Sequence, residues 1–155
     1  MQYTDEEIDN VNLGFCLNLI SHNQNNSLKK ELEKFNISYS EFIFIICIYY
    51  HDSCSQSHIA RDLNVSEAYV TKIIKKLENK ELIVKEINPN KKTEKLINIS
   101  RKGETVYNEI DEINKKWEEK ISKNLNKEEI KNLKLYLLKI CMETNNSNLE
   151  YEDIL

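Results

Sequence analysis

Apolar residues recur along this chain in blocks of helical period separated by short polar breaks, and in one place the period shortens to that of strands. From about Thr4 to Lys34, Ile8, Val11, Phe15, Leu19, Leu28 and Leu32 fall at helical spacing. Thr4 with Glu7 three residues on predicts a capping box, in which each side chain satisfies the other residue's free backbone N–H. The polar middle, Ser21 to Ser27, reads as an exposed or bent part of the same helix. Ser38 with Glu41 is a second such box and opens a helix to about His51. Its run from Phe42 to Ile48 is apolar nearly all round, so this helix is expected at the centre of the fold.

Ser55 is placed to cap a short helix through Leu63, and Asn64 marks the turn after it, because Asn tolerates the left-handed conformation. Ser66 caps the next helix, to about Lys80, with Val70, Ile73, Ile74 and Leu77 as the inward stripe. That leaves Glu67, Ala68, Tyr69, Thr71, Lys72, Lys75 and Lys76 facing outward. Leu82 to Ile87 and Lys95 to Ile99 are short β-prone runs on either side of the polar loop Asn88 to Glu94. Ser100 caps a helix to about Lys123 with Val106, Ile110, Ile113, Trp117 and Ile121 on one face. Asn126 with Glu129 opens a last helix to about Met142, striped by Ile130, Leu133, Leu137 and Ile140. The expected fold is mainly α with a small two- or three-stranded β-wing: a winged helix-turn-helix carrying helical segments before and after it.

Length and charge narrow this picture. The chain has 155 residues, enough for one domain with a proper core and too few for two ordinary ones. The net charge of −4 does not by itself suggest a nucleic-acid partner. Its distribution does: Ser55 to Lys102 holds 11 Lys/Arg against 6 Asp/Glu, while the remainder holds 11 against 20. A basic segment inside an acidic chain is the local footprint of a DNA reader. The start lacks the basic segment and apolar run of a signal peptide, and Phe42 to Tyr50 is too short to span a bilayer. Cysteines 16, 47, 54 and 141 show neither CxxC nor a disulfide framework, so a cytoplasmic protein with reduced thiols is expected.

These stretches together resemble the MarR family of transcriptional regulators. The resemblance runs from Leu13-Gly14-Phe15 to the last helix, and rests chiefly on Ser55–Leu63, Val65–Glu78 and Ile99–Gly103. It implies a single MarR-like domain over 1–155, with a DNA-binding lobe at about 38–100, dimerisation helices at about 4–34 and 101–143, and a tail over 144–155. It also implies a homodimer that places two recognition helices in successive major grooves of a near-palindromic operator. At the wing the chain departs from the family, whose Asp and tip Arg fall here on Lys91 and Thr93. Lys91 and Lys92 are then left to attract phosphates, since lysine suits a narrow minor groove less well than arginine. Glu81 stands where a helix-ending glycine is usual.

The DNA-contacting candidates are Ser55, Gln56, Ser57, Ser66, Glu67, Ala68, Tyr69, Thr71, Lys72, Lys75, Lys76, Lys91 and Lys92. Each has a plainer reading: a solvated lysine face, a capping serine, or, for Tyr69, packing on its own wing. His51, Cys54 and His58, with Asp52 nearby, form an H-x2-C-x3-H run that has zinc-ligand chemistry, weighed against lone helix-end residues. Cys16 lies two residues from Gly14, the position matching the reactive cysteine of the family's hydroperoxide sensors. Cys16, Cys47 and Cys141 read instead as small core residues. Carboxylates are expected on solvated helix faces, and no phosphate loop, HExxH or GxSxG is present.

The function expected is therefore sequence-specific binding of double-stranded DNA by a homodimeric, ligand-responsive repressor, without enzymatic activity, cofactor or membrane association. The alternatives are a winged-helix dimer acting through protein partners, and a metal- or redox-switched regulator. The effector is expected in a crevice between the dimerisation helices and the winged lobe.

Overall fold

The structure is a computed structural model that describes residues 3–51 and 53–144. Asp52, which the zinc-like run included, and the acidic tail lie outside the described residues. Among the described residues, seven helices and two strands follow one another as α1 (Asp5–Asp9), α2 (Leu13–Lys34), α3 (Tyr39–Tyr50), α4 (Gln56–Asp62), α5 (Glu67–Asn79), β1 (Ile83–Ile87), β2 (Lys95–Ile99), α6 (Arg101–Ile121) and α7 (Lys127–Thr144). No described helix is long and apolar enough to cross a membrane.

Capping chemistry sets most of these boundaries. Thr4, Asn12, Ser38, Ser55, Ser66 and Ser100 each accept a backbone N–H three residues on. Asn126 closes a further box with Glu129 at the start of α7. One expectation is corrected here. The continuous helix from Thr4 breaks after Asp9 and restarts at Leu13, because the Asn10 side chain bonds the Glu6 carbonyl while Asn12 caps a new helix. The polar middle of α2 is regular helix that bonds α6: Gln24 donates to Asn114 at 2.8 Å, and the Trp117 indole donates to Asn23 at 3.0 Å.

Helix α3 is the centre of the core, as its composition requires. Phe42, Phe44, Ile45 and Ile48 are buried, and Leu28 and Leu32 of α2, Ile59 of α4, Val70, Ile73, Ile74 and Leu77 of α5, Ile97 of β2 and Ile110 of α6 join them in one cluster. The far end of α3 meets α6 through tyrosines: Tyr49 and Tyr107 stack with ring centroids 3.8 Å apart, and the Tyr107 hydroxyl donates to Tyr50. Not every carboxylate is solvated. Glu41 is 3% exposed inside this core, and the Asp62 side chain is 6% exposed.

The wing is a two-stranded antiparallel sheet with Ile83 opposite Ile99, Lys85 opposite Ile97 and Ile87 opposite Lys95. A single bridge between Cys54 and Ile97 adds a third, one-residue edge. Cys54 is thus the fully buried cysteine. Cys16 and Cys47 are half-buried and Cys141 is exposed, which corrects the expectation that those three fill the core. Helix α7 has no buried residue among those described, and Phe15, Leu19, Leu133 and Tyr136 are exposed.

Helix α6 starts against the turn that ends α5. Ser100 donates its N–H to the Leu82 carbonyl and its hydroxyl to the Glu81 carbonyl, and Lys102 reaches the Lys80 carbonyl. Gly103 makes this approach possible, since a Cβ there would lie 2.0 Å from the Leu82 carbonyl oxygen. Gly103→Ala is expected to cost about 1–3 kcal/mol, or more if the α6 start is displaced, read as a lower urea midpoint. An unchanged midpoint would contradict the close approach. Glu81 adopts φ 61°, the left-handed conformation that ends α5. An L side chain is disfavoured there by about 1–2 kcal/mol, and the Glu81–Lys102 ion pair is too exposed to compensate. Glu81→Gly is therefore expected to raise stability by about 1 kcal/mol in the same measurement.

Candidate nucleic-acid interface

Helices α4 and α5 form the helix-turn-helix. The chain between them turns at Asn64, φ 50°, and the Val65 N–H returns to the Ala60 carbonyl at 2.9 Å. The two helices are also joined on their outer side, where the Thr71 hydroxyl donates to Gln56 Oε1 at 3.0 Å. Two residues singled out for DNA contact thus hold each other. Ser55 is buried, its hydroxyl accepting the His58 N–H and pairing with Ser57 at 2.8 Å, so it serves the cap first. Tyr69 is half-buried. Its ring meets Phe44 of α3 edge-on at 5.9 Å, where the plainer reading had put it against the wing.

Ser57 of α4 is exposed, as are Ser66, Glu67, Ala68, Thr71, Lys72, Lys75 and Lys76 on the α5 surface away from the Val70–Leu77 stripe. Lysines in this lobe fall into two groups. Lys80 binds Glu41 at 2.8 Å and the Asn36 carbonyl, Lys85 binds Glu78 at 2.6 Å, and Lys102 binds Glu81 at 3.1 Å. Lys72, Lys75 and Lys76 make no ion pair among the described residues. The first group builds the lobe, and the second presents uncompensated charge.

The wing tip is ordered by a residue that inspection of the sequence passed over. Glu94 accepts the Asn88 side-chain amide at 2.7 Å and pairs with Lys91 at 3.4 Å, while its backbone closes the loop to Asn88 and Lys91. The Asn88 hydrogen bond first, then the Lys91 ammonium, outweigh partial burial and hold the Glu94 carboxyl below its usual range. The Asn88-Pro-Asn turn, with Asn90 N–H on Asn88 Oδ1 at 2.9 Å, was legible as a turn signal. Its tie to Glu94 was not. Lys91 is therefore partly engaged within the loop, while Lys92 and Lys95 are exposed beside it.

In this lobe burial favours the protonated form of both cysteines. Burial first, then the Asp62 charge, pushes the Cys54 thiol up to about 12, and burial with Cys54 and Asp62 does the same to Cys47. The H-x2-C-x3-H run does not assemble: His58 is exposed on α4, and the Cys54 thiol points to the Ile97 carbonyl at 3.7 Å.

Residues 37–94 match the MarR family model. The regulator BilQ of Clostridioides difficile, described as an HTH-type transcriptional regulator, is 29% identical over 105 residues, covering 68% of this chain and 71% of that protein. BilQ of Clostridium symbiosum is 28% identical over 72% and 78% respectively. Among solved structures, the transcriptional regulator SlyA superposes with TM-score 0.78 at 19% identity, over 87% of this chain and 95% of that one. The S. aureus MepR–DNA complex superposes with TM-score 0.72 at 23% identity, over 86% and 98%.

The position of α5 depends on the pair between Glu41 and Lys80. Burial would raise the Glu41 carboxyl, but the Lys80 ammonium and the Ser38 bonds outweigh it, so its pKa lies below the ordinary 4.5. The pair therefore stabilises the fold fully above 4.5, and that contribution is lost as pH falls through the lower folded value. Lys80→Met leaves a buried carboxylate without its cation and is expected to cost about 2–4 kcal/mol at neutral pH. Its urea midpoint should stay level or rise on acidification, where that of the parent falls. Parallel pH profiles for the two proteins would refute the assignment.

Proposed function

We propose that this chain is a MarR-type transcriptional regulator that binds double-stranded DNA as a homodimer, through α5 in the major groove and the wing lysines on flanking phosphates. The observation that carries this reading is the division of lysines in the lobe. Lys72, Lys75 and Lys76 are exposed on the outer face of α5 and hold nothing in the fold, whereas their neighbours Lys80 and Lys85 are spent on it. A DNA complex of a protein of the same fold supports the same use.

The homodimer is supported by what the isolated chain leaves uncovered. An 18-residue helix with no buried residue among those described does not persist on its own side-chain contacts, and exposed Phe15, Leu19, Leu133 and Tyr136 sit on the helices outside the winged lobe. Two-fold pairing there sets two α5 helices one helical turn apart on DNA, which suits a near-palindromic operator. A small-molecule effector that prefers one spacing over the other would then govern DNA affinity, and such a regulator acts as a repressor. The wing lacks an arginine tip, so α5 reads sequence and Lys91 and Lys92 supply charge.

The test is binding to duplex DNA from the promoter of the protein's own operon, measured by fluorescence anisotropy across a salt series. Replacing Lys72, Lys75 and Lys76 by Gln is expected to abolish binding near physiological salt. For a dimer it should lower the slope of log affinity against log salt by about 5, at roughly 0.9 for each phosphate that is no longer neutralised. Binding that is unchanged in the triple variant, or absent from the parent, would overturn the reading.

A further inference from the structure

Away from the interface, the ends of two helices bring a thiol, an imidazole and a carboxylate to one point. Cys47 and His51 lie one turn apart at the end of α3, and Asp62 is the last residue of α4. One ligand atom from each lies within 4.8 Å of the other two. His51 Nε2 is 3.0 Å from Asp62 Oδ2, while Arg61 Nε takes Asp62 Oδ1 at 3.3 Å and orients the carboxylate. The His51 and Asp62 side chains are 20% and 6% exposed.

An ion pair alone accounts for the imidazole and the carboxylate. It does not account for a thiol within the same radius. Sulfur, nitrogen and oxygen donors bind tetrahedral zinc at about 2.0–2.3 Å, which places them roughly 3.3–3.8 Å from each other. The three ligand atoms already lie within 4.8 Å of one another, close to that spacing. A thiolate with an imidazole also discriminates against magnesium and calcium, which prefer all-oxygen shells. A cavity of about 350 Å³, lined by Tyr49, His51, Asn98, Ile99 and Glu104, opens beside His51.

We propose that Cys47, His51 and Asp62 form a binding site for a zinc-class divalent cation, with a water completing the tetrahedron. Binding releases the Cys47 proton to solvent as the sulfur–metal bond forms. The ion ties the end of α4 to α3, and α4 in turn holds α5 through Gln56 and Thr71. Occupancy thus fixes the helix-turn-helix on the core. The site does not depend on the DNA reading, because it is measured on the protein alone.

The test is titration of the reduced, chelator-treated full chain with cobalt(II), followed by displacement with zinc. One equivalent per chain is expected to give the visible bands of a tetrahedral site and a thiolate charge-transfer band. Cys47→Ser should remove the charge-transfer band, and both it and Asp62→Asn should weaken binding at least about tenfold, since loss of even an outer partner costs that much. Cys16→Ser, Cys141→Ser and His58→Gln should leave the spectrum intact. Absence of saturable binding at one equivalent, or a charge-transfer band that survives Cys47→Ser, overturns the proposal. Should Cys47→Ser not fold, X-ray absorption on the cobalt-loaded protein carrying Cys16→Ser and Cys141→Ser decides it. A shell with one sulfur and one imidazole supports the site, and a shell without sulfur refutes it.

Discussion

A helix that is apolar nearly all round needs cover on most of its sides, and α3 imposes that constraint on the rest of this molecule. Phe42, Phe44, Ile45 and Ile48 are withdrawn from water only because α2, α4, α5, α6 and β2 each contribute a cover. Burying one such side chain contributes about 1.5–3 kcal/mol, so the helix-turn-helix is held in place mainly by this shared core. The few polar contacts inside it act as registers more than as a source of stability. Glu41 is the clearest case: placed at the start of α3, it accepts from Ser38 and from Lys80, and so fixes where α5 ends relative to α3.

The same logic separates lysines that build from lysines that present. An exposed ion pair adds little, but a lysine committed to a carboxylate has less charge to offer a partner. In the winged lobe the committed ones are Lys80, Lys85 and Lys102, at the junction of α5, the wing and α6. Lys72, Lys75 and Lys76 stand on the open face of α5. A chain that is acidic as a whole can therefore show a basic edge, because compensation is local.

The two ends of the chain pose the opposite problem. Helices α2 and α6 meet through Gln24, Asn114, Asn23 and Trp117, a polar seam along an otherwise apolar packing. Beyond it, the first part of α2 and all of α7 present large apolar side chains outward. Such surfaces are stable in water when a second copy covers them. The winged lobe is self-sufficient in its burial, and the arms are not.

Sequence by itself determined most of the local features set by near neighbours. The break at Asn10 to Asn12 and the tie of Glu94 to Asn88 are local too, but an apolar period that continues across the first and the plain polarity of the second conceal them. The caps at Thr4, Ser38, Ser55, Ser66 and Ser100, the turn at Asn64 and the inward stripe of α5 follow from residues within a few positions of each other. So do the strand Lys95–Ile99 and the central place of α3. Tertiary structure alone decided what depends on residues far apart. Gln24 finds Asn114 and Tyr69 finds Phe44. Most telling is His51: of its sequence neighbours, His58 is exposed on α4 and the Cys54 thiol faces the Ile97 carbonyl. Its companions Cys47 and Asp62 arrive from one turn back along α3 and from the far end of α4. Spacing along the chain specifies which atoms can meet within a helix, and only packing specifies which helix ends share a point.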